Sequence, residues 1–241
     1  MTATKVTIII PAWNEAQRLP LTLKTLRKQM AQGRESALKM PSDNLEYELI
    51  VVDDGSRDGT AEAALPWADK VVKHPRRRGK GAALESGWNE SRGDILIFLD
   101  ADLGLSAKHY PLLLKPVLQG AADMCVARLT PCPGTGGFGL VRALAVRGVR
   151  LLTGFEASAP LSGQRALRAE ALQALKRQYG GFGVEVGMFV DLLKLGYRVE
   201  ETEAPFMHRT TGKTWSGWMH RGRQFLSVGR ALWQCWRMPI C

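Results

Sequence analysis

The sequence predicts an α/β fold with a Rossmann-like, mostly parallel sheet flanked by helices. Four short apolar runs occur in the first part of the chain, at positions 6–10, 47–52, 70–73 and 95–99. Segments with helical periodicity separate these runs, and each run ends in a polar loop. Strands that alternate with helices in this way are typical of a parallel sheet wound with helices. A chain of 241 residues is long enough to bury a substantial core.

The first two strands are followed by loops that are rich in turn-forming residues. Pro11 is expected to stop the first strand, because proline lacks the amide hydrogen that a central strand uses. Leucines at positions 19, 23 and 26 then predict a helix. Residues 30–46 are polar and predict a helix end and a loop. The second strand closes on the turn-forming run 53–60, and a helix is expected through residues 62–65.

The third strand leads into a basic turn. This turn spans residues 74–81, and a helix is expected at about residues 82–88. The arginines at positions 76–78 are compatible with phosphate contacts or with a solvated basic turn. Lys80 stands between two glycines, where backbone amides and a cation could meet a phosphate at a helix start. The segment is not a P-loop, because the P-loop spacing and the following Ser or Thr are absent.

The fourth strand ends in two carboxylates, Asp100 and Asp102, with Ala101 between them. Carboxylates at the mouth of an apolar strand are poorly solvated and repel each other, so they need a cation or a set of donors. Oxygen ligands of this kind suit Mg²⁺ or Mn²⁺, and Mg²⁺ is usually shared with substrate phosphates. The pair therefore predicts a metal–diphosphate site, with an Asp-rich turn as the alternative.

Ligands of such sheets bind at the carboxyl ends of the strands, so the four polar strand ends are expected to meet in one crevice. The residues that this crevice should collect are Asn14, Glu15, Asp53, Asp54, Lys80, Asp100 and Asp102.

The amino-acid composition limits the classes of molecule that the protein is expected to bind. The formal net charge of +10 favours phosphate-bearing partners such as nucleotides, nucleic acid or an anionic membrane surface. No apolar run approaches the roughly 20 residues that span a bilayer. The chain enters a strand pattern at once rather than a signal peptide, and the four cysteines suggest neither a zinc site nor a disulfide framework. We therefore expect a cytoplasmic protein, with a peripheral position at the inner face of the cell membrane left open.

Four segments, in this order, resemble the family 2 glycosyltransferases of the GT-A fold. They are Pro11-Ala12-Trp13-Asn14-Glu15, the run from Val51 to Thr60, Gly79-Lys80-Gly81 and Asp100-Ala101-Asp102. The second half is similar to the polyprenyl-phosphate hexose synthases of the dolichyl-phosphate mannose type. The segments that carry this similarity are Val126-Ala127-Arg128, the run 161–168, the run 181–186 and the run 209–214.

The resemblance implies a role for each matching residue. The nucleotide sugar would be bound by Pro11, Ala12, Trp13, Asn14, Glu15, Asp53, Asp54, Lys80, Asp100 and Ala101. Phosphates of the donor or the acceptor would face Arg128, Gly163, Gln164, Arg165, Arg209 and Lys213. Asp100 and Asp102 would hold Mg²⁺ or Mn²⁺. Asp102 and Glu185 are the expected catalytic residues.

Two departures from the family pattern concern the acceptor. Gln164 replaces the usual aromatic residue, and Ala159-Pro160 lacks the acidic residue usually found just before it. His208 stands where those synthases tend to carry Asp, and other GT-A enzymes use a His in this region as a further metal ligand. His208 is therefore either a metal ligand or a structural residue.

The expected reaction is transfer of a hexose from a UDP-glucose or GDP-mannose type donor to a polyprenyl phosphate, with inversion at the anomeric carbon. A soluble phosphorylated or hydroxylated acceptor is the alternative. A hydroxyl acceptor would need Glu185 as a general base, whereas an ionised phosphate needs none. A nucleic-acid-binding protein is the rival from another class, but the aspartates at the strand ends would repel a phosphate backbone unless they bound metal, so no nucleic-acid partner is expected.

The resemblance assigns residues 1–213 to the glycosyltransferase domain, with a nucleotide-sugar-binding half at 1–103 and an acceptor half at 104–213. Residues 214–241 predict a basic, tryptophan-rich C-terminal helix. This helix is expected to lie on an anionic membrane, or to pack on the domain or on the second subunit of a homodimer.

Overall fold

A computed structural model describes residues 3–33, 45–129, 139–175, 179–181, 183–207 and 215–237. The seven strands within these ranges form one sheet in the order β3-β2-β1-β4-β6-β5-β7. The strands are β1 Thr4–Ala12, β2 Leu45–Asp53, β3 Lys70–Lys73, β4 Ile95–Phe98, β5 Met124–Leu129, β6 Arg165–Arg168 and β7 Val199–Ala204. β6 runs antiparallel to both of its neighbours, and the other pairs are parallel. The predicted mostly parallel α/β sheet is confirmed.

Helices cover both faces of this sheet. They are α1 Leu19–Gly33, α2 Thr60–Ala64, α3 Lys80–Asn89, α4 Pro111–Leu118, α5 Gly139–Thr153, α6 Ala169–Gln173, α7 Gly183–Lys194 and α8 Trp215–Arg237, with a 3-10 helix at Gly104–His109. Side chains of a strand alternate between the two faces. In β4, Leu96 and Phe98 therefore join the core under α3, α5, α7 and α8, whereas Ile95 and Ile97 join the core under α1 and α4.

Pro11 does not stop β1, which continues to Ala12. The carbonyl of Ala12 accepts from the amide of Asp54 in the segment after β2, and the carbonyl of Ile9 accepts from the segment after β4. The backbone N–H and C=O groups of odd-numbered residues in β1 thus point toward β4. The pairing of β1 with β4 ends at Ile9 and Phe98. Proline at position 11 removes no hydrogen bond from the ladder with β2, and the expectation of a strand end there was wrong.

The C-terminal helix packs on the domain. The side chains of Val228, Ala231, Leu232 and Cys235 are buried in the same core as residues of α5 and α7. Their spacing along α8 places them on one face of the helix. Among the described helices, none combines the length and the apolar character that crossing a membrane requires.

Candidate active site

The loops after β1, β2 and β4 meet at one edge of the sheet, because β1 lies between β2 and β4. Asn14 adopts a positive φ of 55°, and its amide donates to the Ser56 hydroxyl at 2.9 Å. The side-chain oxygen of Asn14 in turn accepts from the amide of Arg57 at 3.0 Å. The amide of Glu15 donates to the Thr60 hydroxyl at 2.9 Å. The two segments predicted to bind the nucleotide therefore form one hydrogen-bonded unit.

Two aspartates, the last residue of β2 and the residue after it, are both buried. Asp53 accepts from the amide of Ser56 at 2.9 Å. Asp54 accepts from the amides of Arg78 and Gly79 at 2.8 and 2.7 Å, and its carboxylate lies 2.8 Å from His74 Nδ1. Asp54 thus fixes the turn that leads into α3, rather than facing the crevice as expected. Sequence reasoning did not single out His74, since one histidine after a short strand carries no signal of its own.

A cavity of about 710 Å³ lies beside this hydrogen-bonded unit. Its lining residues are Trp13, Asn14, Gly55, Ser56, Arg57, Lys73, His74, Pro75, Arg76 and Arg77. The Trp13 side chain is 42% exposed, and the guanidinium carbon of Arg77 lies 3.6 Å from the centroid of its ring. An exposed indole with an arginine over its face provides a stacking surface for a planar aromatic group.

Lys80 is held between two carboxylates. Its ammonium nitrogen lies 2.8 Å from Asp100 Oδ1 and 2.9 Å from Glu185 Oε1. Burial opposes the charge of this lysine, but the two carboxylates together outweigh burial and raise the pKa of Lys80 above its ordinary value. Lys80 therefore stays cationic at the mouth of the crevice. It is also the first residue of α3, where the helix dipole favours an anion.

Gly163 allows this contact. A Cβ atom at position 163 would lie 2.5 Å from Lys80 Nζ and 3.1 Å from both carboxylate oxygens of Asp100. The first distance is shorter than a real Cβ contact and the second is tighter than most, so the absence of a side chain here lets the lysine and the aspartate approach the backbone. Gly163 belongs to the segment that the sequence assigned to phosphate or acceptor contacts.

Gln164 is fully buried and holds the second oxygen of Asp100. Its side-chain amide donates to Asp100 Oδ2 at 2.6 Å, and its carbonyl oxygen accepts from the Ser162 hydroxyl at 3.2 Å. The sequence placed Gln164 among the residues that face phosphate or acceptor. In this structure it instead orients a carboxylate of the donor half of the site.

Arg165 is also buried, with 1% of its surface exposed. Its guanidinium donates to the carbonyl oxygens of Glu185 at 3.0 Å and of Ser162. Burial lowers the pKa of Arg165 to about 10, against the effect of the Glu185 and Asp100 carboxylates, so the side chain remains charged at neutral pH. The expectation that Arg165 faces phosphate is not met, because its donors are used to join β6 to the start of α7. Arg128 lies at the surface and pairs with Glu203 at 2.7 Å.

Glu185 lies in the first turn of α7 and is almost fully buried. One oxygen pairs with Lys80, and the other, Oε2, has no hydrogen-bond partner among the described residues. A buried carboxylate oxygen without a donor is costly unless another group approaches it. Oε2 of Glu185 therefore keeps an unused acceptor next to Lys80, but it is buried, so a group could reach it only after the surrounding side chains moved.

The carboxylates around Asp102 suit a divalent cation. Asp102 is partly exposed after β4. Burial raises the pKa of the Glu15 carboxyl, the neighbouring Arg18 lowers it, and the negative charge of Asp102 raises it further, with a net shift above the ordinary value. A cation would relieve this repulsion, and carboxylate oxygens are the ligands that Mg²⁺ and Mn²⁺ prefer. Within the described residues no three His, Cys, Asp or Glu side chains cluster as metal ligands. The remaining predicted site residues, His208, Arg209 and Lys213, lie outside the described residues.

Comparison with known proteins identifies the family of the chain. A family model described as glycosyl transferase family 2 matches residues 7–175. The chain belongs to glycosyl transferase family 2. This family 2 chain has the GT-A fold that the four ordered segments predicted, and that prediction is confirmed.

Two curated relatives are named as transferases of undecaprenyl phosphate. The undecaprenyl-phosphate mannosyltransferase of Micrococcus luteus is 29% identical over 230 residues, which cover 87% of this chain and 86% of the relative. The undecaprenyl-phosphate 4-deoxy-4-formamido-L-arabinose transferase of Photorhabdus laumondii is 38% identical over 125 residues, which cover 48% of this chain and 34% of the relative. The chain thus spans about a third of the length of some of the curated relatives it matches.

A solved structure with the same fold holds a nucleotide sugar and a small phosphorylated acid. Glucosyl-3-phosphoglycerate synthase from Mycobacterium tuberculosis, crystallised with Mn²⁺, UDP-glucose and phosphoglyceric acid, superposes with a TM-score of 0.76. The two are 25% identical, and the match covers 98% of this chain and 81% of that chain. Another crystal of the same synthase holds Mg²⁺ and UDP.

Proposed function

We propose that this family 2 enzyme is a metal-dependent, inverting hexosyltransferase that uses a nucleotide diphosphate sugar and a polyprenyl phosphate acceptor. The observation that carries the proposal is the position of Lys80 between Asp100 and Glu185, with the partly exposed Asp102 two residues after Asp100 in the chain. This arrangement puts one fixed cation and a pair of cation-binding carboxylates at the same strand end, which is the set of charges that a nucleoside diphosphate requires.

The donor would lie along the edge of the sheet. Its base would stack on Trp13 in the cavity after β1, and the buried carboxylate of Asp53 lies at the end of the adjacent strand. Its diphosphate would reach Lys80 and the two carboxylates after β4. The oxygens of Asp102, with Asp100 as the second ligand, would hold Mg²⁺ or Mn²⁺, and His208 remains a proposed third ligand. The metal, when bound, would supply positive charge to the leaving diphosphate.

The chain's own residues would divide the remaining work. Negative charge accumulates on the leaving diphosphate in the transition state, and Lys80 is fixed to meet it. Gln164 and Lys80 each hold one oxygen of Asp100, so this carboxylate is oriented before substrate arrives. The unpaired oxygen of Glu185 has no role toward an ionised phosphate acceptor, which offers it no proton. It would take the proton if the acceptor were a hydroxyl group rather than an ionised phosphate.

The assignment of the acceptor rests on the curated relatives. Those named above act on undecaprenyl phosphate, and one of them matches most of this chain. The solved structure carries a soluble phosphorylated acid, which supports the alternative of a small phosphorylated or hydroxylated acceptor. A polyprenyl phosphate and a small phosphorylated acceptor each bring a phosphate, and the proposed contacts for it remain Arg128 at the end of β5, Arg209 and Lys213.

Calorimetry tests the donor half of the proposal. Binding of UDP-glucose, GDP-mannose and their parent diphosphates is measured with Mn²⁺ and again with EDTA, on the intact chain and on Asp102→Ala. We expect metal-dependent binding of one base that is lost in the variant. Binding that is equal with EDTA would refute the metal site, and no nucleotide binding at all would refute the proposed function. Product formation with undecaprenyl phosphate and with 3-phosphoglycerate then separates the two acceptors.

A further inference from the structure

We infer that α5 and α8 together form a docking surface for an anionic lipid bilayer. The sequence leaves an anionic membrane as one of three alternatives for the C-terminal helix, beside the domain and a second subunit, and α5 is not part of that expectation. The proposed function supplies only the reason for such a surface, which is to bring the enzyme to a lipid-linked acceptor. The surface itself is argued from exposure, helical geometry and charge.

The two helices are packed against each other at a close contact. A Cβ atom at Gly148 of α5 would lie 2.4 Å from a methyl carbon of Leu232 of α8. Val149 of α5 and Val228 of α8 are both buried in the same core. The opposite sides of both helices therefore point away from this core, toward solvent.

Large apolar side chains are exposed on both sides of this contact. Leu140 and Leu151 of α5 are 81% and 84% exposed. At 100° per residue, both lie within about 80° of Gly148 on the side away from the core. On α8, Phe225 and Trp236 lie within about 40° of Leu232, and Trp233 and Leu226 follow at about 100–120°. These six exposed residues, which we call the apolar strip, thus run along the contact between the two helices.

Arginines flank the apolar strip. Arg147 and Arg150 lie on the outward side of α5, and Arg230 and Arg237 lie on the outward side of α8. The guanidinium carbon of Arg237 lies 4.6 Å from the centroid of the Trp233 ring. Tryptophan and arginine together suit the interface of a bilayer, where the ring enters the headgroup region and the cation meets lipid phosphate.

The charge of the two helices has one sign. Three arginines in α5 and four in α8, with no Asp or Glu in either helix, contribute +7 to the chain's formal net charge of +10. Among the described arginines of α5 and α8, Arg150 has an acidic partner. This partner is the exposed Glu156, which lies in the loop after α5 at 3.4 Å from Arg150. A second copy of the chain meeting this surface about a two-fold axis would bring arginines against arginines. An anionic bilayer instead complements the whole surface.

The opposite side of α8 packs on the helix that carries Glu185. A Cβ atom at Gly183, in the first turn of α7, would lie 2.8 Å from the carbonyl oxygen of Ser227 in α8. That first turn also carries Glu185, whose carboxylate pairs with Lys80. Ser227 lies about 140° around α8 from Leu232, on the side away from the apolar strip, so α8 would stand between the bilayer and this turn.

Vesicle co-sedimentation of the full chain tests the inference. The probes are mixed phosphatidylcholine–phosphatidylglycerol vesicles and pure phosphatidylcholine vesicles, at low and at physiological salt. We expect binding to the anionic vesicles, weakened by salt, and little binding to the neutral ones. The double variants Leu151→Ser with Trp236→Ser, and Arg147→Glu with Arg230→Glu, should each lower the bound-to-free ratio at least about tenfold.

Matched controls lie elsewhere on the surface. Leu65→Ser removes an apolar side chain that is 65% exposed, and Lys24→Glu with Lys28→Glu reverses two exposed charges on α1. Both controls should bind vesicles like the original chain, and all variants should keep its circular dichroism and its nucleotide affinity. If the original chain bound no nucleotide, the proposed function would be refuted, but the vesicle result would still hold.

Three results would overturn the inference. The first is the absence of binding to anionic vesicles at low salt. The second is an equal loss of binding in the control variants, which would indicate general electrostatic attraction. The third is a concentration-dependent dimer, or a complex with arbitrary DNA, that the strip variants abolish while vesicles remain unbound.

Discussion

The replacement Gly163→Ala tests whether the contact between Lys80 and Asp100 is needed for donor binding. The added Cβ would stand 2.5 Å from Lys80 Nζ, and ordinary contact begins at about 3.4 Å, so the ammonium group must retreat by roughly 0.9 Å. A retreat of this size lengthens the 2.8 Å hydrogen bond to Asp100 beyond hydrogen-bonding distance. The aspartate would then lose the ammonium partner that, together with Gln164, orients it.

The expected result is a loss of function without a loss of fold. Misplacement of a charged group by about 1 Å can cost on the order of 100-fold in turnover, so we expect kcat/KM for the donor to fall between about 10-fold and 100-fold. The atom that must move is the end of a flexible side chain, so the melting temperature should change by only a few degrees. Donor binding is measured by calorimetry, and turnover by release of nucleoside diphosphate.

Gly139→Ala in α5 is the matched control, since its Cβ would meet nothing within 4 Å. It should behave like the original chain in both assays. If Gly163→Ala kept full donor affinity and turnover, the paired Lys80 would be a structural feature of the free protein and not the group that meets the diphosphate. If it unfolded the chain, the estimate of a local adjustment would be wrong.

Three further predictions concern other parts of the molecule. Trp13→Ala should weaken binding of the nucleoside diphosphate by roughly 1–3 kcal/mol through loss of the stacking surface, whereas Trp233→Ala should not; equal calorimetric affinities for the two variants would exclude Trp13 from the base site. Glu185→Gln should lower turnover by about 10²–10⁴-fold with a hydroxyl acceptor and only a few-fold with a phosphate acceptor, as steady-state kinetics with each acceptor would show; near-normal turnover with both would remove Glu185 as a base. Hydrogen bonds from Arg198 hold the pKa of Asp123 below its ordinary value, despite partial burial. The stabilisation from Asp123 is therefore present above the unfolded value of about 3.9 and is lost as the pH falls through the lower folded value. Asp123→Asn should accordingly melt at a lower temperature than the original chain at pH 7, with a difference that narrows in acid; a difference independent of pH would contradict the assigned cause.

Part of the site could be predicted because its residues follow strands directly. The apolar runs predict the strands, and the polar residues at their ends must then share one edge of the sheet. Asp53 and Asp100 were placed correctly at strand ends on these grounds alone. Lys80 was expected at a helix start, and it is the first residue of α3.

The partners of those residues were beyond local patterns. Gln164 and Arg165 looked like acceptor contacts, yet both are buried and hold other parts of the site in place. Their partners are supplied by β4 and α7, which are distant in sequence. A polar side chain serves substrate or protein according to which donors and acceptors the fold brings to it, and that information is not local.

The class of fold and the family follow from the sequence alone, because these depend on residue type and on spacing along the chain. Only the tertiary structure decided that Glu185 pairs with Lys80, that Asp54 fixes a turn, and that α8 shares a core with α5. Each of these is a contact between segments separated by many residues. Their formation depends on how the helices pack on the sheet, since burial and charge pairing are properties of neighbours in space.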